Sequence, residues 1–147
     1  MSDGPAQSEL PPIVRGPVER NHLVEWCAAE NDYYALHYDE RQARRLGFEK
    51  PLVQRTHKYA LMGQYLRAAF GAGATIARIA VTYLRPDSEG SKLTLSGRVT
   101  AASPTDSGRR YKVDPWATGE DGERTATGHA VVDVGEPEAC AASWFWR

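Results

Sequence analysis

The 147-residue chain is 41% hydrophobic and sets 18 Lys and Arg against 19 Asp and Glu, for a net charge of −1. That apolar content supports one packed core and is too little for two, and the balanced charge leaves no electrostatic footprint for nucleic acid. Two cysteines, Cys27 and Cys140, make neither a disulfide framework nor a four-ligand zinc site by themselves, so free thiols in a cytoplasmic protein are expected.

Residues 1–12 are polar and rich in Pro, Gly and Ser, and read as a flexible leader. They lack the basic start and apolar centre of a secretory signal. The mainly apolar runs at 74–84 and 139–146 fall short of the roughly 20 residues a membrane-spanning helix needs. One domain is expected over 13–136, followed by a tail, 137–147, whose Trp144-Phe145-Trp146 reads as a packed terminal plug. The first helix is expected from Asn21, a good cap residue, to Glu30, with Leu23, Trp26 and Cys27 on one face. A non-periodic stretch, 31–38, follows. A short second helix starts at Asp39, with Gln42 three residues on as in a capping box and Gly47 as a left-handed stop. The spacing then predicts a helix over 57–70 that is apolar on nearly all sides and must be wrapped by other elements, ended by Gly71-Ala72-Gly73.

Four strands are expected next, at 76–84, 92–100, 110–118 and 124–134. Ala77, Ile79, Val81 and Tyr83 share a side of the first, and Leu93, Leu95, Gly97 and Val99 share a side of the second. Tyr111, Val113 and Ala117 face in from the third, where Pro115 argues for an edge or a bulge. Ala126, Gly128, Ala130, Val132 and Val134 face in from the fourth, and Asp121-Gly122 is a strong hairpin turn. Helices first and an antiparallel meander last give an α+β domain in which the sheet curls around the long helix.

Asp32 and His37 are the pair that carries chemistry. Five residues apart, they would stand about 140° apart on a regular helix, so they converge only if the chain turns irregularly between them. A carboxylate and an imidazole in reach of one water form an acid–base device near neutral pH; the plainer alternative is a turn residue and an ordinary loop histidine. His37 and Asp39 lack a third ligand at useful spacing, so no metal is expected. His22 and His129 read as structural surface residues.

The stretch from Glu30 through Asp32, Tyr34, His37, Asp39 and Glu40 to Gly47-Phe48 resembles the hydratase motif of the MaoC-like family, (R)-specific enoyl-CoA hydratases and acyl-thioester dehydratases with a hot-dog fold. The family pattern is D-x-N-P-x-H, then D-E and a short helix ending in Gly-Phe. The strand ending in Arg85-Pro86, the strand around Leu93 to Val99 and the hairpin from Gly122 to Val132 extend the resemblance over about residues 20–134. Tyr34 and Ala35 replace the family's Asn-Pro, and Leu52-Val53-Gln54-Arg55-Thr56-His57 stands where the family has an apolar pair, a His and a Gly.

The resemblance implies a curved antiparallel sheet around one long central helix, with short helices carrying the hydratase segment. It implies that Asp32 and His37 hold a water that adds to the β-carbon of a trans-2-enoyl thioester, giving a (3R)-3-hydroxyacyl thioester. The start of the central helix, at Thr56 and His57 with Arg55 and Tyr34 nearby, would bind the thioester and its oxyanion. No cofactor is implied. The partners implied are an acyl-CoA or acyl-carrier-protein substrate and a second copy of the chain, or a related subunit in a heteromer. The alternatives are a non-catalytic hot-dog subunit, a pocket lined by Tyr33 and Tyr34 for another small molecule, and a hot-dog acyl thioesterase.

Overall fold

The apolar helix is α3, Arg55–Phe70, and its buried side, Leu61, Met62, Tyr65 and Leu66, is the centre of the domain. The computed structural model describes residues 8–135. Before α3 come strand β1 (Ser8–Arg15), helix α1 (Arg20–Glu30), a 3-10 turn (Ala35–His37) and helix α2 (Glu40–Arg45); after it come β2 (Ala74–Tyr83), β3 (Leu93–Thr105), β4 (Gly108–Thr118) and β5 (Arg124–Gly135). The strands form one antiparallel sheet in the order β1-β3-β4-β5-β2. Helix α3 touches all five, which requires the sheet to curl around it. Alternation decides which face curls inward: Leu93, Leu95 and Val99 of β3, Val113 and Ala117 of β4, and Ala126, Ala130 and Val132 of β5 join the α3 side chains in one core. Among the described residues no helix is long and apolar enough to cross a membrane.

Several expectations need correction. Residues 8–12 are not leader but the first part of β1, paired with β3 from Ser8↔Val99 to Arg15↔Leu93. Pro11-Pro12 lowered the strand signal, yet β1 is an edge strand and the register shift between Leu10 and Ile13 falls on those prolines. The four later strands do not form a simple meander. Only β3-β4-β5 does; β2 pairs with β5 at the far edge, and residues 84–92 cross over to β3. Within β2, Ala77 is exposed, because a register shift between Ile76 and Arg78 changes the phase; Ile76 and then Ile79, Val81 and Tyr83 reach the core. Pro115 lies in central β4, opposite Gly97 of β3, and not at an edge. Its missing N–H coincides with a gap in the β4–β5 pairing between Val113↔Ala130 and Trp116↔Thr127. Helix α1 is capped two residues earlier than expected, by Glu19 in place of Asn21, in a reciprocal box with His22. Asp39 caps α2 as expected, accepting from the Arg41 and Gln42 amides, and Gly47 has a φ of 87°. The aromatic tail and Cys140 lie outside the described residues.

Gly97 gives room to the largest fully buried side chain. A Cβ there would stand 3.2 Å from Cε1 of Tyr65. The Tyr65 hydroxyl is buried without a hydrogen-bond partner among the described residues, and burial pushes its pKa up to about 12. Tyr65→Phe removes this desolvated group and keeps the ring. Urea denaturation should give an unfolding free energy unchanged or raised by up to about 1 kcal/mol. The unfolded phenol ionises near pH 10 while the folded one keeps its proton, so the native chain loses stability above about pH 10, and the variant should lose less.

Candidate active site

Asp32 and His37 face one cleft of about 490 Å³ because the chain turns sharply between them. Asn31 ends α1 in the left-handed conformation, φ 55° and ψ 36°, and the Asp32 amide returns to the Cys27 carbonyl at 3.0 Å. Oδ1 of Asp32 then accepts from the Tyr34 amide at 3.1 Å, a side-chain turn in the place of the family's Asn-Pro. The 3-10 turn follows, closed by the His37 amide on the Tyr34 carbonyl at 3.0 Å. Oδ2 of Asp32 has no hydrogen-bond partner among the described residues.

His37 is held by the segment before α3. Its Nδ1 lies 2.8 Å from the Leu52 carbonyl, and the Leu52 amide donates to the Leu36 carbonyl at 3.2 Å. A carbonyl only accepts, so Nδ1 carries the proton, and Nε2 is the nitrogen left for chemistry. The Tyr34 ring meets the imidazole edge-on at a centroid distance of 6.0 Å. Leu36, Phe48, Leu52 and Val53 supply apolar lining, and Tyr83, Leu84, Arg85 and Pro86 close the other side.

The first turn of α3 forms the floor. Gln54 caps it without a side-chain hydrogen bond, so the amides of Arg55, Thr56 and His57 have no acceptor among the described residues and carry the positive end of the helix dipole. Arg55 and Thr56 line the cleft. The Thr56 hydroxyl is already engaged: it donates to Glu30 and accepts from Trp26 Nε1 at 2.9 Å. What Thr56 can offer a ligand is therefore its backbone N–H. Glu30, which sequence reasoning passed over as a site residue, lines the cleft and fixes Thr56 from α1.

His57 does not belong to this cleft. The helical step turns it toward α1, where its ring stacks on Trp26 at 4.7 Å with 9° between planes and faces a separate groove. Its Nδ1 is buried without a partner among the described residues, and burial first, then the neighbouring His22, lowers its pKa below 6.5. Below that pH the unfolded chain takes up a proton that the folded chain refuses, so stability falls with acidification. His57→Phe keeps the stack, and urea denaturation between about pH 7.5 and about pH 5.5 should show a flatter loss than in the native chain. Lys58, the next residue along α3, is 2% exposed and ion-paired to Asp87 at 2.8 Å.

No protein-family model matches the chain, and no curated protein matches it. Solved structures do. An (R)-hydratase from A. caviae involved in PHA biosynthesis aligns with a TM-score of 0.79 at 21% identity, over 87% of this chain and 95% of that one. The R-hydratase PhaJ1 from Pseudomonas aeruginosa gives 0.81 at 17%, over 89% and 82%. A chain of the ChsH1-ChsH2 complex from Mycobacterium tuberculosis gives 0.76 at 20%, over 91% and 99%. The chain therefore has the hot-dog fold, the same fold as these (R)-hydratases.

Proposed function

We propose that the protein is a MaoC-like hydro-lyase that reversibly adds water to a trans-2-enoyl thioester, giving a (3R)-3-hydroxyacyl thioester. The observation that carries this reading is the convergence of Asp32 and His37 on one cleft at the start of α3, with Oδ2 and Nε2 both unpartnered among the described residues. A water donating to the Asp32 carboxylate and to Nε2 of His37 turns a lone pair toward the β-carbon. As the C–O bond forms, the proton leaving the water passes to the Asp32–His37 pair and is returned to the α-carbon. The pair ends in its starting protonation state. Charge that builds on the thioester oxygen meets the first-turn amides of α3, chiefly that of Thr56, each such donor being worth about 3 kcal/mol in the transition state. Acyl-CoA or acyl-carrier-protein thioesters are the substrates of this reading, and a second copy of the chain or a related subunit is its partner. No cofactor is needed for the step.

A second reading, an acyl-binding subunit without turnover, is favoured by one feature: no glycine stands at the start of α3, and the Cβ of Thr56 narrows the approach to the helix. The test is the loss of enoyl-thioester absorbance over a panel of trans-2-enoyl-CoA substrates, with a thiol reagent present in parallel. Absorbance loss without thiol release is expected. Thiol release would favour the thioesterase, and thioester binding without turnover the non-catalytic subunit.

A further inference from the structure

Three basic side chains line the cleft, Arg55, Lys58 and Arg85, and two of them are already neutralised. Lys58 Nζ sits on Asp87 at 2.8 Å, and the Arg85 guanidinium meets both carboxylate oxygens of Asp121, at 3.0 and 2.9 Å. Arg55 alone pairs with no carboxylate among the described residues. Neither acid of the cleft, Glu30 or Asp32, stands within ion-pair distance of it. The guanidinium carbon of Arg55 stands 6.0 Å from the centre of the Tyr83 ring, another cleft wall. That is the outer limit of a cation–π contact, and it leaves the in-plane N–H donors free.

A lone arginine on a convex surface is satisfied by water. Arg55 is exposed, but a ligand entering the cleft lined by Leu36, Phe48, Leu52 and Val53 displaces water from its guanidinium, and an oxyanion is the acceptor that replaces that water most strongly. We propose that Arg55 determines substrate specificity by binding an anionic oxygen group of the thioester, a carboxylate on the acyl group or a phosphate of the carrier. This rests on the hydratase reading of the same cleft and names its substrate class: thioesters that bring an oxyanion to the wall formed by Arg55 and Tyr83.

The test measures binding, so that it does not depend on turnover. Calorimetric titration of the native chain and of Arg55→Gln uses three saturated thioesters: butyryl-CoA, butyryl-pantetheine and glutaryl-pantetheine. Arg109→Gln, in β4 and outside the cleft, controls for net charge. Loss of one charge-assisted bond should weaken the anionic ligand by about 10- to 100-fold. Weakening confined to butyryl-CoA supports the proposal with a carrier phosphate as the source; weakening confined to glutaryl-pantetheine supports it with an acyl carboxylate. Equal affinities in native and variant chains, an equal fall for uncharged butyryl-pantetheine, or no binding by the native chain overturns it. A native chain that binds these thioesters yet leaves trans-2-enoyl-CoA unchanged contradicts the hydratase reading while the comparison at Arg55 still stands.

Discussion

Asp32→Asn should lower kcat for enoyl-thioester hydration by ~10²–10⁴-fold and leave the fold intact. Asparagine keeps the turn, because its side-chain oxygen can still accept from the Tyr34 amide, the contact that Oδ1 makes at 3.1 Å. What it loses is a charged acceptor at the second oxygen, Oδ2, the one the Tyr34 amide does not use. An amide cannot take the proton that the attacking water releases, so the loss falls on the chemical step, with KM for the enoyl thioester little changed. Initial rates with unaltered thermal unfolding separate this from damage to the fold. An Asp32→Asn chain with native kcat would remove Asp32 from the mechanism.

The second large effect is on stability. Lys58 is buried in the second turn of α3, with Nζ on Asp87, on the Arg85 carbonyl at 2.9 Å and on the Thr125 carbonyl at 3.4 Å. Asp87 belongs to the crossover between β2 and β3, whose backbone also accepts from the Val53 amide at 2.8 Å. The pair thus ties the start of α3 to the wall of the cleft. Lys58→Met leaves a buried carboxylate without its counter-charge and should cost about 3–5 kcal/mol of unfolding free energy in urea. Adding Asp87→Leu removes the stranded charge and should restore a large part of that loss. A single variant as stable as the native chain would show that the ammonium contributes nothing to holding the helix.

The sheet and the central helix were legible because their signals are local. Leu93, Leu95, Gly97 and Val99 alternate with polar residues, and the apolar residues of α3 have no outward face large enough to keep them in water. Asp39 was legible as a cap because its partners, Arg41 and Gln42, are two and three residues away. What escaped depends on distant partners. The burial of Lys58 depends on Asp87, 29 positions on, being placed beside it. His57 resembles a ligand-facing residue until Trp26 is stacked on its ring. Glu30 gains its position from Thr56, 26 residues later. β1 was obscured by two prolines that only an edge strand tolerates, and Ala77 by a bulge that no alternation pattern announces. Asp32 and His37 stood out through the resemblance of their surroundings; that both reach one cleft follows from the left-handed Asn31 and the 3-10 turn, which spacing alone does not specify.

The most direct measurement is mass spectrometry of the product formed from a trans-2-enoyl-CoA in ¹⁸O-labelled water, with the configuration at C3 determined on the same sample. Water added from between Asp32 and His37 should put one labelled oxygen on C3 in the (3R) product, with the thioester intact and the incorporation lost in both Asp32→Asn and His37→Ala. Label in a free carboxylate, or none at all in the presence of the folded native chain, would contradict hydration at this site.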